Sequence, residues 1–294
     1  MYLIPFYPLP SDPNTMVQFR APDVAMATYF CKSEAYTEER DTTEYLNLLQ
    51  TAETKNDSAN WTAQDRRTAL WWIFINSRKD PVISFGYQCS HCGEEHWSDV
   101  NMQNLADDLT VLDVKPEMDA GTITVQGEPY EWICKPLDGH AMERLERMRQ
   151  NLPPAGRDRK AYERAVTALR LWELVYQVRL ANDTEKDFET SAVARHALIE
   201  KMDVNTEFTQ LAVKVGEMQE KLDHGLKIRM DKGESCLLMP PHPCNSDKFK
   251  EAAIRPTTEL LVTFRNSQFI PNIGTGSLAN LSFQPGLVWR SANF

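Results

Sequence analysis

The chain has 294 residues and a formal net charge of −10 at pH 7. Hydrophobic residues make up 42% of it and charged residues 25%, which are ordinary globular values and exclude a wholly disordered chain. The net acidity argues against sequence-independent binding to phosphate backbones, and no apolar run reaches the roughly 18 residues of a membrane-spanning helix. The N-terminus has neither a basic region nor a long apolar stretch, so we expect no secretory signal.

The first 80 residues predict an extended arm followed by helices. Residues 1–14 contain four prolines among aromatic side chains, a pattern that blocks a helix and favours an extended arm. Such an arm either folds back onto its own domain or reaches a neighbouring subunit. Residues 15–80 predict an N-terminal helical segment, in which Thr62 and Asp65 have the spacing of a capping box. The run at 70–75 is too apolar for a surface helix, so we expect it to be buried.

The rest of the chain alternates between strands and helices. Residues 81–135 predict a small β-rich unit, with short strands at 82–88, 97–102, 109–114, 122–125 and 130–134. Residues 136–224 predict a helical region, with helices at 137–150, 157–181, 185–201 and 205–222. Gly225 follows the last helix, where a positive φ is expected. Residues 225–245 are extended again and form a second ribbon half, and residues 246–294 form a C-terminal extension.

The six cysteines are more typical of thiols or metal ligands than of disulfides in such a chain. Cys89-Ser-His-Cys92-Gly93 is a zinc-knuckle sequence, because two intervening residues followed by glycine let both thiolates face one ion. A closed tetrahedral site needs two more ligands. Cys236 and Cys244 are the best candidates, since each cysteine pair lies at the end of a predicted strand. We therefore predict a zinc site at Cys89, Cys92, Cys236 and Cys244.

Other interpretations of these cysteines stay open. His91 and His96 lie near the first pair and His242 lies inside the second, so a site of three cysteines and one histidine is possible. A redox function of the CxxC motif is less favoured because no βαβ pattern surrounds it. Four packed cysteines without a metal are the simplest structural alternative. Cys31 and Cys134 stand in apolar runs, which predicts burial.

A fully thiolate-ligated zinc leaves no open position for water, so the predicted site is structural. It would make the helices at 137–222 an insertion between the two halves of one ribbon. The fold class expected is thus α+β, with a small zinc-ribbon-like β unit, a large helical insertion and extended N- and C-terminal arms. None of the six histidines begins an HExxH or HxE motif, and neither a P-loop nor a GxSxG elbow is found, so we expect no enzyme.

The arrangement resembles the baseplate hub proteins, or hub assembly proteins, of T4-type contractile-tailed bacteriophages. The residues that carry the resemblance are the apolar helix segment at 65–78, the knuckle at 89–93, and the segment Met-Gln-Glu-Lys-Leu-Asp-His-Gly at 218–225 with the strand and second cysteine pair behind it. The resemblance covers roughly residues 15–245. Two departures are a second pair wider than CxxC and a C-terminal extension beyond the match.

The resemblance implies a non-enzymatic virion protein of the tail baseplate, near the distal end of the tail tube and assembled in the host cytoplasm. Its implied partners are other tail and baseplate proteins and copies of itself about the tail axis, with a trimer favoured. It implies no membrane contact, and a nucleic-acid partner is not expected.

Three alternative functions remain, and each makes a specific expectation. A zinc-ribbon nucleic-acid-binding protein would use the basic residues Arg157, Arg159, Lys160 and Arg164. A baseplate assembly chaperone would be absent from the mature virion. A metal-dependent enzyme would need an open metal position, for which the sequence offers the least support.

Overall fold

The computed structural model describes residues 2–30, 36–231, 234–251 and 254–271. Helices and small antiparallel sheets together give an α+β fold, which confirms the predicted class. The α-helices are α1 (Val24–Tyr29), α2 (Glu38–Leu49), α3 (Ala63–Ser77), α4 (Gly139–Gln150), α5 (Arg159–Tyr176), α6 (Phe188–Ile199) and α7 (Glu207–Lys221). The strands are β1 (Tyr7–Leu9), β2 (Asp12–Val17), β3 (Val82–Gln88), β4 (Glu95–Asn101), β5 (Met118–Val125), β6 (Glu128–Cys134), β7 (Val178–Leu180), β8 (Ile228–Asp231), β9 (Glu234–Pro243) and β10 (Thr257–Thr263).

The proline-rich N-terminal segment packs on its own chain. β1 and β2 pair antiparallel, with Tyr7 opposite Val17, so part of the predicted arm is a short hairpin. Ile4, Tyr7 and Leu9 are buried in the first of two hydrophobic cores. Of the two expectations for this arm, the structure shows the folded-back one.

Helix α3 is the centre of the first core. The Thr62 hydroxyl accepts the amide hydrogen of Asp65, and the Asp65 carboxylate accepts the amide hydrogen of Thr62. The predicted capping box is therefore present at the start of this helix. Leu70, Trp71 and Ile73 are completely buried, as the apolar run predicts. The Trp71 indole nitrogen donates to the carbonyl oxygen of Met102 at 2.9 Å, which satisfies its buried polar group.

Two β elements that are far apart in the sequence pack against this core. β3 and β4 form a hairpin, and β8, β9 and β10 form a three-stranded antiparallel sheet in the order β10-β9-β8. Phe85 and Val100 of the hairpin share the core with Leu237 and Leu260 of the sheet. The chain between the two elements, about 125 residues, therefore has to leave the first core and return to it.

That interval builds the second core, whose buried side chains all come from residues 112–222. The antiparallel sheet β5-β6-β7 packs there with α4, α5, α6 and α7, and Trp132 and Leu211 are completely buried. At its base Thr110 and Gly225 exchange two backbone hydrogen bonds of 3.1 and 2.7 Å. The second unit is thus inserted into the first between β4 and β8.

Two predicted elements differ in this insertion. Residues 109–114 do not form a strand, because Thr110 makes only an isolated bridge to Gly225 and the Leu112 amide donates to the carbonyl oxygen of Pro10. The predicted helix at 157–181 ends early, since β7 pairs its last residues with β6. Helical periodicity cannot reveal a three-residue strand that exists only because a partner edge is available.

The two units meet at the start of α3 in a buried polar network. Both carboxylate oxygens of Asp65 accept hydrogen bonds from Ser11, one from its amide and one from its hydroxyl. The Thr62 hydroxyl lies 2.7 Å from Nε2 of His224, and Nδ1 of His224 lies 2.6 Å from the carbonyl oxygen of Leu222. Because every one of these groups is buried, each hydrogen bond offsets a desolvation cost and the network fixes how the units join.

Glu146 of α4 makes a second junction, against the N-terminus of α2. Its carboxylate accepts the amide hydrogen of Glu39 at 3.0 Å. Burial raises the pKa of Glu146 to about 7. The carboxylates of Glu39 and Glu38 add to this rise, whereas hydrogen bonds from the amides of Glu39 and Arg40 oppose it. The folded protein therefore binds more protons than the unfolded chain between the ordinary pKa of 4.5 and about 7.

We expect Glu146 to make the protein less stable as pH rises through this window. The stabilisation from the protonated Glu146 carboxyl is complete below the pKa that Glu146 has in the unfolded chain, and it is lost as pH passes its pKa in the folded protein. The free energy of unfolding then changes by about 2 kcal/mol after allowance for solvent screening. Urea unfolding at pH 5 and pH 8 should show a smaller difference for Glu146→Gln than for the wild type. Glu220→Gln, on the exposed surface of α7, is the matched control. An unchanged difference in Glu146→Gln would contradict this assignment.

Candidate metal centre

The knuckle cysteines lie in the tight turn that joins β3 to β4. The amide of Cys89 donates to the carbonyl oxygen of Glu94 and the amide of Gly93 donates to that of Cys89, both at 2.9 Å. Gly93 has a φ of 76°, which a residue with a side chain rarely adopts. This turn holds the thiols of Cys89 and Cys92 on the same side of the hairpin tip.

Two further side chains reach this tip from β4 and from the end of β9. His96 follows the knuckle on β4, opposite Tyr87 in the hairpin register. Cys244 comes directly after the last residue of β9, and its amide donates to the carbonyl oxygen of Pro256 at 2.8 Å. The antiparallel pairing of β9 and β10 therefore sets the position of Cys244 beside the tip of the other hairpin.

The four ligand atoms of Cys89, Cys92, His96 and Cys244 all lie within 4.8 Å of one another. Nε2 of His96 is 3.1 Å from Sγ of Cys92 and 3.7 Å from Sγ of Cys244. Tetrahedral zinc with its usual bond lengths separates sulfur from sulfur by about 3.8 Å and sulfur from nitrogen by about 3.6 Å. The four residues thus come close to the spacing around one zinc ion, with shifts of up to about 1 Å required, and they could hold a metal ion.

The electrostatics of the site favour one thiolate before any metal binds. Burial opposes ionisation of Cys89, but hydrogen bonds from the amides of Cys92 and His91, with smaller contributions from Thr258 and Cys244, outweigh it and lower its pKa to about 6. For Cys92, burial and the neighbouring thiols raise the pKa to about 11. A divalent cation would compensate the clustered negative charge that keeps the second thiol protonated.

The structure brings together three of the four predicted cysteines and replaces the fourth. Cys236 is buried within β9, opposite Arg229 on β8 and Thr263 on β10. It is eight residues before Cys244 along an extended strand, which places the two about 25 Å apart. His96, which the sequence offered as an alternative ligand, takes the fourth position. Its signal in the sequence was the spacing of four residues from Cys92 on the same predicted hairpin.

The remaining histidines and cysteines near the motif have other contacts. Nε2 of His91 lies 3.0 Å from the carbonyl oxygen of Thr257, and Nε2 of His242 lies 3.0 Å from the hydroxyl of Ser98. Cys134 is completely buried in the second core, as predicted, and burial raises its pKa to about 11. Cys31, the other cysteine expected to be buried, lies outside the described residues.

Basic side chains hold the backbone around the site. Nζ of Lys248 donates to the carbonyl oxygen of Cys92 at 3.2 Å and lies 3.7 Å from the carboxylate of Glu94. The guanidinium of Arg255 donates to the carbonyl oxygen of Cys244 at 3.4 Å. These contacts orient the ligand-bearing turns and place positive charge near a group of three thiols.

No protein-family model matches the chain, and neither any curated protein nor any solved structure matches it. Among the helices of the described residues, none has the length and apolar character needed to cross a bilayer.

Proposed function

We propose that this chain is a non-enzymatic structural protein, stapled by one zinc ion, and that it is a component of a bacteriophage tail baseplate hub. The observation that carries the zinc proposal is the group of Cys89, Cys92, His96 and Cys244 at one point of the first unit. Three cysteines and one histidine are a ligand set of structural zinc sites, and four protein ligands leave no position for a reacting water.

The proposed staple would join two segments that are far apart in the sequence. It joins the tip of the β3–β4 hairpin to the end of β9, and 148 residues separate His96 from Cys244. Those residues include the whole inserted unit, so the ends of a long loop must be brought together when the first unit folds. A zinc ion at this point would offset part of that entropy and would couple its binding free energy to folding.

The baseplate assignment is the wider proposal, and it rests on the arrangement of the apolar helix, the knuckle and the segment ending at Gly225. We propose that the protein is located in the virion tail baseplate after assembly in the host cytoplasm. Its partners would be other tail and baseplate proteins and further copies of itself about the tail axis. The same arrangement in a baseplate assembly chaperone would work without remaining in the particle.

Separate measurements test the two proposals. Native mass spectrometry should find one zinc per chain, and cobalt substitution should give an absorption spectrum typical of three sulfur ligands and one nitrogen ligand. A spectrum with an open, water-ligated position would contradict the structural role. Mass spectrometry of purified phage particles should detect the chain. Its presence during assembly and absence from particles would favour the chaperone instead.

A further inference from the structure

Charge is segregated along this acidic chain. Residues 144–170 contain eight Lys and Arg against three Asp and Glu, a net charge of +5. Residues 94–131 contain ten Asp and Glu against one Lys, a net charge of −9. All ten of those acidic residues are exposed. Such asymmetry within a folded unit creates local potentials that the overall charge of −10 does not describe.

The positive charge lies where α4 ends and α5 begins, at one end of that helix pair. Five exposed cations there have no carboxylate within 4.0 Å among the described residues, and we call them the basic end: Arg147, Arg149, Arg157, Lys160 and Arg164. The three carboxylates of this segment are already engaged. Glu146 is buried against α2, Asp158 caps α5, and Glu163 pairs with Arg159 at 2.8 Å. The basic end is therefore free to bind an external anion.

A complementary surface lies beyond the other end of α5. The chain continues from α5 directly into β7, beside a shallow depression of about 430 Å³. Three exposed carboxylates line it, and we call them the acidic depression: Glu117, Asp119 and Glu131. Two cations are also present, since Lys115 lines the depression and Arg179 pairs with Glu117 at 3.0 Å. The depression keeps two carboxylates, on Asp119 and Glu131, without a basic partner within 4.0 Å among the described residues.

We propose that the basic end of one copy binds the acidic depression of a second copy. Helix α5 has 18 residues and so spans about 27 Å, which keeps the two surfaces of one chain apart. Since they lie at opposite ends of one helix, the contact is head-to-tail, and repetition closes a ring or continues as a filament. This inference deepens the proposed assembly function and rests on it.

The observations favour a protein partner over a nucleic acid. Four of the five cations of the basic end are arginines, whose planar guanidinium donates two parallel hydrogen bonds to a carboxylate. A duplex would extend beyond the basic end and meet the rest of the chain, which has a net charge of −15 outside residues 144–170. A second copy offers carboxylates in a depression of limited size and no such extended repulsion.

Sedimentation velocity of the full chain tests the contact. We expect oligomers at about 50 mM NaCl that dissociate at about 500 mM, because salt screens exposed charge pairs. Lys160→Glu with Arg164→Glu should lower the association constant by about tenfold or more. Lys55→Glu with Lys79→Glu changes the net charge equally on exposed residues elsewhere and should leave association unchanged. Circular dichroism and zinc content check that each variant is folded.

A mixing experiment identifies the partner surface. Asp119→Asn with Glu131→Gln removes both unpaired carboxylates of the depression while keeping an oxygen at position 119 for the amide of Gly121. Each double variant alone should be monomeric, whereas their mixture retains one intact contact and should form dimers only. A wild type that is monomeric at low salt, or oligomers that both variants leave intact, would overturn the proposal. The proposal would also be overturned if the wild type were monomeric and shifted duplex DNA in a gel at about 150 mM NaCl, and if Lys160→Glu with Arg164→Glu abolished that shift. None of these outcomes alters the zinc content or the detection in particles that test the proposed function.

Discussion

Cys244→Ser is expected to release the metal ion and to lower the free energy of unfolding by about 3–5 kcal/mol. The serine hydroxyl is a poor zinc ligand, so the proposed site loses the one member that the described residues contribute from the end of β9. The hairpin tip and the end of β9 are then joined only by local packing and hydrogen bonds. Zinc content per chain by native mass spectrometry and urea unfolding with and without a chelator provide the two measurements.

Cys236→Ser is the matched control for this result. It makes the same chemical change at a buried cysteine within β9, eight residues before Cys244, and Cys236 lies outside the ligand group. We expect one zinc per chain to remain and a loss of about 1 kcal/mol for burying a hydroxyl. His96→Ala should lose zinc as Cys244→Ser does, whereas His242→Ala should keep it. Retention of zinc by Cys244→Ser, or its loss from Cys236→Ser, would refute the three-cysteine, one-histidine site.

The features that the sequence predicted well are those set by neighbouring residues. The capping box of Thr62 and Asp65 begins α3 where its spacing indicated. The knuckle turn at Cys89 and Cys92 forms because Gly93 adopts a positive φ. Helix positions followed from periodicity over ten or more residues, since such patterns report the face that is buried.

The features that it missed depend on distant partners. The choice between His96 and Cys236 is decided by where β9 ends relative to the β3–β4 hairpin, and no local pattern contains that register. β7 exists because β6 offers it an edge. Gly225 has a positive φ, as predicted, with a value of 75°. However, it lies three residues beyond the C-cap of α7, and it pairs with Thr110. A single sequence does not distinguish a glycine that caps a helix from a glycine that pairs at the base of an inserted unit.

Gly225→Ala is expected to lower the free energy of unfolding by about 3 kcal/mol, because two costs coincide there. The backbone has a positive φ, and an added Cβ would lie 2.3 Å from Oγ1 of Thr68 and 3.3 Å from the carbonyl oxygen of Gln64. Thr68 has little freedom to move, since its hydroxyl accepts the amide hydrogen of Leu226 at 3.1 Å. Urea unfolding of the full chain measures the change.

Gly127→Ala separates the two costs. Gly127 has a φ of 87° in the β5–β6 turn, and an added Cβ there would have no atom within 4 Å. Its variant should lose only about 1 kcal/mol, the cost of a left-handed backbone for alanine. The excess at Gly225 then measures how tightly the base of the inserted unit is packed against α3. Equal losses in the two variants would show that the close approach to Thr68 relaxes freely. In that case the insertion would be joined to the first unit by the two Thr110–Gly225 hydrogen bonds and the buried network at Asp65, without tight packing at its base.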